Sequence, residues 1–162
     1  MTAKDMLMNS IELTDHVINA YVGDVDDADW TQRPGPGCNH LAWQMGHLIQ
    51  AEYGLLQMAG VEPGFEVPAG FKEAHAKEAA GVDDRSAFLP KSKYLELYAA
   101  ARAATKAAIK KLSDADLDKP GPPDFKMCPT VGTIFNLIAT HPLMHAGQFV
   151  PVRRRLGKPV VI

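Results

Sequence analysis

The sequence of 162 residues predicts an all-α protein built as a four-helix bundle. Four segments repeat apolar residues at helical spacing, and each is bounded by residues typical of helix ends. No stretch alternates apolar and polar residues for long enough to indicate a sheet, and no internal repeat is evident. We therefore expect one helical domain over residues 1–162, long enough to bury a sizeable core.

The first two predicted helices have clear start signals. The first covers about Ala3–Val22, and Thr2 just before it and Asp5 in its first turn have the spacing of a capping box. The second follows a loop rich in proline and glycine, begins after Asn39 as its N-cap, and ends at Gly60.

The last two helices are predicted on either side of a second breaker-rich region. The third follows Pro90 and stops at Ser113, and the fourth is capped by Thr130 and closed by Gly157. Residues 61–89 form a long irregular crossover between helices 2 and 3. Connections of this length are usually functional or mobile. This one starts at the end of the helix that carries His47, so it either folds over the site around His47 and carries substrate specificity, or is a solvated crossover. Its His75, surrounded by charges, is expected at the surface.

Composition narrows the possible partners. The chain has 17 basic and 19 acidic residues, so it lacks the positive charge that nucleic acids or anionic membranes attract. The arginines at 153–155 are expected to complement the dipole at a helix end. No stretch approaches the ~20 apolar residues of a membrane span, and the N-terminus lacks the regions of a signal peptide. We expect a cytoplasmic protein that binds a small molecule.

Two histidines lie on the apolar face of the fourth predicted helix. His141 and His145 are within about 60° of Ile134 and Ile138 at the ~100° per residue of an α-helix, so both rings should point toward the core. A buried imidazole without a partner costs about 1–3 kcal/mol. A shared divalent metal is the simplest partner for two rings one turn apart. The alternative is that each ring is a structural histidine satisfied by one hydrogen bond.

A third histidine, His47, lies on the flank of the apolar stripe of the second predicted helix. Ala51 and Gly54 on the same side are small and leave room beside its ring. Three imidazoles from two helices would form a site of the catalytic type, because structural zinc sites normally fill all four coordination positions with protein ligands.

These motifs resemble the DinB/YfiT-like superfamily of metalloenzymes. The resemblance is carried by residues 33–48, which include Gly46-His47-Leu48, and by the later element His141-Pro-Leu-Met-His145-Ala-Gly-Gln148. It covers essentially the whole chain. It implies a four-helix bundle with an up-down-down-up path, a zinc or nickel ion on His47, His141 and His145, and a homodimer.

One residue departs from the pattern of the family. Pro142 directly follows His141, where a helix-forming residue is expected. Proline removes a backbone hydrogen bond and clashes with the carbonyl four residues earlier, here that of Ile138, so a kink is predicted.

The resemblance implies two activities. One is S-transfer or isomerisation that uses a low-molecular-weight bacterial thiol, and the other is metal-assisted hydrolysis. We rank the thiol chemistry first because the resemblance to the family favours it. The physical motive is an open coordination position, which would bind a thiolate and lower its pKa. A third possibility is a non-catalytic dimeric bundle that binds metal as a sensor or as a structural element.

Three further polar residues are weaker candidates for a catalytic role. Glu52 lies on the apolar stripe and is either an acid–base group or an ion-pair partner inside the bundle. Gln148 follows His145 by one turn and either orients a ligand imidazole or bound water, or is a structural amide of the core. His40 lies about 10.5 Å along the helix axis from His47, which suits the rim of a pocket better than a shared ion.

Aromatic residues suggest an interface. Trp30, Trp43 and Tyr53 are expected to be exposed and to pair across a two-fold axis.

Overall fold

The computed structural model describes residues 1–162, and its regular structure is entirely helical. The helices are α1 (Ala3–Val22), α2 (Leu41–Met58), α3 (Phe71–Ala74), α4 (Lys91–Lys111), α5 (Asp114–Leu117) and α6 (Val131–Arg155). Four of them are long, α3 and α5 are single turns, and one isolated bridge joins Pro120 to Thr130. The predicted all-α fold is confirmed. Every helix is either too short or too polar to be a transmembrane segment.

The four long helices follow an up-down-down-up path. One half of the core combines the C-terminal halves of α1 and α6 with the N-terminal halves of α2 and α4, and the other half combines the opposite ends. Helices α2 and α4 are therefore parallel, and the chain must return along the bundle between them. At 1.5 Å per residue α4 is about 31 Å long, which explains why the crossover between helices 2 and 3 of the bundle is long.

Helix α6 carries two of the histidines, and its neighbours determine what they face. It packs against α1 and α2, while α4 packs against α1 and α2 as well. Consecutive helices α1 and α2 thus occupy opposite corners, as do α4 and α6. The helix that carries His47 therefore lies directly beside the helix that carries His141 and His145.

The helix starts agree with the sequence except at α2. The capping box of Thr2 and Asp5 is present, and Thr130 caps α6. The N-cap of α2 is His40 rather than the predicted Asn39, because the His40 Nδ1 atom accepts a hydrogen bond from the Trp43 backbone N–H at 3.1 Å.

Proline does not interrupt α6. The helix is continuous over 25 residues although Pro142 and Pro151 lie inside it. The helix therefore continues through Pro142, and the kink expected there stays a prediction. The Ile138 carbonyl four residues earlier accepts a hydrogen bond from Arg102 on α4.

The expectation of exposed tryptophans is wrong. Trp30 is fully buried and stacks on Tyr94, and Trp43 is 5% exposed. Tyr53 is half-buried and contacts Phe65. Trp43 and Tyr53 contact the crossover at Ala76 and Phe65, contacts that helical periodicity alone does not reveal. The homodimer stays a prediction that rests on the family resemblance.

The arginines at the end of α6 differ in their surroundings. Arg154 and Arg155 are exposed, as expected for the last turn of a helix, whereas Arg153 is 1% exposed. Arg153 donates a hydrogen bond to the Tyr21 carbonyl at 2.7 Å and forms an ion pair with Asp24. It thereby fastens the end of α6 to the end of α1.

Candidate metal centre

His47, His141 and His145 converge between α2 and α6. One ring nitrogen from each lies within 4.8 Å of the others, and the ring centroids are 4.9–5.5 Å apart. His145 is buried, whereas His47 and His141 are half-buried, so the cluster is accessible from one side.

The donor set fits a divalent ion. Zinc bound to histidine at about 2.0–2.1 Å in a tetrahedral site separates the ligand nitrogens by about 3.4 Å. The observed upper limit of 4.8 Å is close enough for small side-chain rotations to close the site around an ion. Three histidines supply three neutral nitrogen ligands, the set found in catalytic zinc sites with an open position.

Gln44 fixes the tautomer of His145. The Gln44 Nε2 atom donates to the Asn39 carbonyl at 2.9 Å, which turns Oε1 toward the Nδ1 atom of His145 at 3.1 Å. Because a carbonyl oxygen only accepts, Nδ1 of His145 must carry the proton. Its Nε2 atom then has a free lone pair for a metal, which is how residues behind a ligand commonly act in metal sites. Sequence reasoning missed Gln44, although it lies one turn before His47.

We expect Gln44→Met to lower the affinity for zinc by about 10- to 100-fold. Methionine has a similar size, but its thioether is a much weaker acceptor for the Nδ1–H of His145 than the Gln44 carbonyl, so the ring loses its fixed orientation. Competition with a chromophoric chelator would measure the change. Gln57→Met, at an exposed position of the same helix, should bind zinc like the wild type. Equal affinities of the two variants would contradict this role of Gln44.

Trp43 holds the ring of His47. The two rings are stacked, with centroids 5.0 Å apart and an angle of 7° between their planes. Trp43 is itself held because its Nε1 atom donates to the Ala76 carbonyl at 3.1 Å. The crossover therefore supports one of the three histidines through a single intermediate ring.

All three imidazoles are held in the neutral form. Burial, with a smaller contribution from the charge of His47, lowers the pKa of His141 to about 4. Burial and the charges of His141 and His47 lower the pKa of His145 to about 3. Burial also lowers the pKa of His47, opposed by the backbone of His75 and assisted by the charge of Lys77. Metal ligation requires neutral imidazole, so the site is ready to bind at neutral pH.

These pKa values predict how pH affects the metal-free protein. An unfolded histidine binds a proton near pH 6.5, whereas His141 and His145 in the folded chain do so only near 4 and 3. Between these values the unfolded state binds more protons, so their contribution to the free energy of unfolding is present above about pH 6.5 and is lost as the pH falls. The free energy of unfolding, measured with urea at about pH 7.5 and about pH 5, should fall less between these two pH values in His145→Leu than in the wild type. An equal decrease in both proteins would contradict the assignment.

Two other histidines lie close by but use both ring nitrogens. His40 accepts from the Trp43 N–H at Nδ1, and its Nε2 atom donates to the Val82 carbonyl at 3.1 Å. The Nδ1 atom of His75 donates to the Phe71 carbonyl at 2.7 Å, and its Nε2 atom accepts from the Tyr94 hydroxyl at 2.7 Å. Neither ring has a free lone pair for a metal in this arrangement.

The expectation that His75 lies at the surface is wrong. Its side chain is 2% exposed, and its ring lies directly against Gly46, where a Cβ atom would overlap it. The charged neighbours in the sequence face solvent, while the single turn α3 directs the ring of His75 inward.

The part of the crossover over residues 71–83, here called the strap, packs against the start of α2. Arg33 donates to the Ala80 and Val82 carbonyls at 2.7 and 3.0 Å, and forms an ion pair with Asp83. His40 contributes the further bond to Val82. The strap therefore folds over the start of the helix that carries His47, and its part in substrate specificity stays a prediction.

The remaining candidates lie apart from the cluster. Glu52 is buried and uses both carboxylate oxygens, one for Arg102 at 3.0 Å and one for Thr105 at 2.5 Å. Burial raises the pKa of the Glu52 carboxyl, and the Arg102 charge opposes this. This position favours a structural role over acid–base chemistry. Gln148 is exposed and makes no hydrogen bond to the cluster, so Gln44 occupies the place behind His145 that was considered for Gln148.

Comparison with known proteins gives the family. The sequence profile of the DinB superfamily matches residues 10–149, which is most of the chain. The chain belongs to the DinB superfamily. None of the curated proteins is significantly similar to it in sequence.

Two solved structures show the same fold as this DinB superfamily member. A conserved protein from Enterococcus faecalis is 17% identical, with a TM-score of 0.74 and coverage of 98% of this chain and 99% of that one. YfiT from Bacillus subtilis is 18% identical, with a TM-score of 0.65 and coverage of 96% and 89%. YfiT is described as a probable metal-dependent hydrolase with an unusual four-helix bundle topology. At these identities the likeness concerns the fold.

Proposed function

We propose that this DinB superfamily member is a metal-dependent hydrolase of a small molecule, with zinc or nickel held by His47, His141 and His145. The observation that carries the proposal is the convergence of three neutral imidazoles, one of which has its metal-facing nitrogen set by Gln44. The description of YfiT as a probable metal-dependent hydrolase supports hydrolysis as the reaction.

Each side chain in and around the cluster would have its own role in such a site. When bound, the ion would act as a Lewis acid on a substrate carbonyl and make water a nucleophile at neutral pH. His145 supplies a ligand nitrogen from the buried side, and His47 and His141 supply theirs at the accessible side. Trp43 and Gln44 hold two of the rings in place. The fourth position is left for substrate because the cluster contains no further histidine, cysteine or carboxylate.

S-transfer with a low-molecular-weight thiol is the second candidate. It rests on the family resemblance and on the same open position, which would bind a thiolate directly. Hydrolysis comes first because YfiT, which has the same fold, is described as a probable metal-dependent hydrolase. A non-catalytic metal-binding dimer is the third candidate.

One set of measurements separates the three candidates. Zinc- and nickel-loaded protein would be assayed with activated esters and amides, with His145→Ala as the inactive control. Cobalt-loaded protein would be titrated with bacillithiol, mycothiol, glutathione and coenzyme A, and a sulfur-to-cobalt charge-transfer band would report thiolate binding. We expect hydrolysis that depends on the metal and on His145. A charge-transfer band without hydrolysis would favour S-transfer, and unfolding on metal removal without either activity would favour a structural ion.

A further inference from the structure

A buried arginine on α4 reaches all the other long helices. The Arg102 side chain is 3% exposed. Its Nε atom donates to Asp15 on α1 at 2.7 Å, and Nη2 donates to the Thr14 hydroxyl at 3.0 Å. Its Nη1 atom donates to Glu52 on α2 at 3.0 Å and to the Ile138 carbonyl on α6 at 3.1 Å. The guanidinium is therefore fixed at the centre of the bundle.

The Ile138 carbonyl is the one that Pro142 leaves without its helical partner. In an α-helix this carbonyl accepts from the N–H four residues later, and proline has no N–H. Arg102 provides a charged donor in its place. The turn from Ile138 to Pro142 contains His141 and ends three residues before His145. A change in the geometry of this turn would therefore re-aim both imidazoles.

The network of Arg102, Asp15 and Glu52 is not explained by the stability of the fold alone. Replacing a buried ion pair by apolar residues of similar volume is often neutral or stabilising, because desolvation of the charges offsets their attraction. The Arg102 guanidinium forms ion pairs with both Asp15 and Glu52. Its Nη1 atom also donates a hydrogen bond to α6, the helix that carries His141 and His145.

We infer that Arg102 is a positioning residue of the metal centre, acting on His141 and His145 through the Ile138 carbonyl at Pro142. The inference rests on the proposed metal site. Alanine at position 142 would restore the backbone N–H, which would make the guanidinium bond to that carbonyl redundant. The effects of changes at positions 102 and 142 should therefore be strongly non-additive.

The test is a double-mutant cycle of Arg102→Met and Pro142→Ala, read as zinc affinity by competition with a chelator and as the ligand-field spectrum of the cobalt-loaded protein. We expect Arg102→Met to lower zinc affinity by about tenfold or more and to change the cobalt spectrum. In the Pro142→Ala background the same substitution should change affinity by less than about threefold. Lys106→Met is the matched control, because Lys106 also binds Asp15 from α4 but makes no bond to Ile138.

The outcomes separate this inference from the metal site itself. If Arg102→Met does not fold, Arg102→Lys replaces it in the cycle, since lysine keeps the charge but lacks the planar fork that serves several acceptors at once. Equal zinc affinity and cobalt spectra in the wild type and the Arg102 variant would overturn the positioning role while leaving the metal site intact. Additive effects in the two backgrounds would also overturn it. If the wild type binds neither zinc nor cobalt, the proposed function fails and this inference fails with it.

Discussion

His145→Ala is expected to remove high-affinity binding of zinc or nickel. Loss of a residue that only supports a ligand typically costs 10- to 100-fold in metal affinity, and loss of a ligand should cost considerably more. His145 is the most deeply buried of the three histidines, and its free nitrogen is set by Gln44. No other histidine, cysteine or carboxylate belongs to the cluster and could replace it. Equilibrium dialysis with elemental analysis would report both affinity and stoichiometry.

A histidine outside the cluster provides the control for loss of metal binding. His16 is exposed on α1, and His16→Ala should bind one ion per chain as the wild type does. His47→Ala and His141→Ala should behave like His145→Ala, with circular dichroism showing that the bundle persists. Metal content and affinity that are unchanged in His141→Ala and His145→Ala would show that the ligand assignment is wrong.

Gly46→Ala is expected to destabilise the protein by about 3 kcal/mol, at the upper end of the range for overpacking a core. A Cβ atom at this position would overlap the imidazole ring of His75. The ring cannot easily move, because Phe71 and Tyr94 hold both of its nitrogens. The substitution should therefore push the strap away from α2, next to His47. Denaturation with urea would measure the change in the free energy of unfolding.

Gly54→Ala is the control for helix propensity. Gly54 lies in the same helix, and nothing would be within 4 Å of an added Cβ atom. Alanine is favoured over glycine in a helix interior by about 1 kcal/mol, so this variant should be slightly more stable than the wild type. If both variants had the same stability, the contact between His75 and Gly46 would not determine how the strap packs.

Helical periodicity and the family resemblance together were sufficient to predict the bundle and the three-histidine cluster. His141 and His145 share a face whatever lies opposite, whereas the up-down-down-up path, in which α2 and α4 are parallel, was implied by the family resemblance. The cluster also needs α2 beside α6. The position of His47 beside the apolar stripe of α2 predicted which face of that helix carries the ligand. The family resemblance implied how the helices are arranged.

The residues that hold the cluster were not predictable in the same way. Gln44 is 101 positions from His145, and Arg102 is 36 positions from Ile138, so neither contact leaves a local pattern. His75 was misplaced because its neighbours are charged, although a single helical turn is enough to turn one ring inward. Trp43 is buried where its Nε1 atom donates to the Ala76 carbonyl of the strap. The path of the strap is irregular, so helical periodicity does not predict this contact.

X-ray absorption at the zinc or nickel edge of the loaded protein would observe the proposed ligands themselves. We expect one ion per chain with three imidazole ligands, at about 2.0–2.1 Å if the ion is zinc. This imidazole signature should disappear when His47, His141 and His145 are all replaced by alanine. A coordination shell without imidazole, or the same spectrum in the wild type and the triple variant, would contradict the assignment of these three ligands.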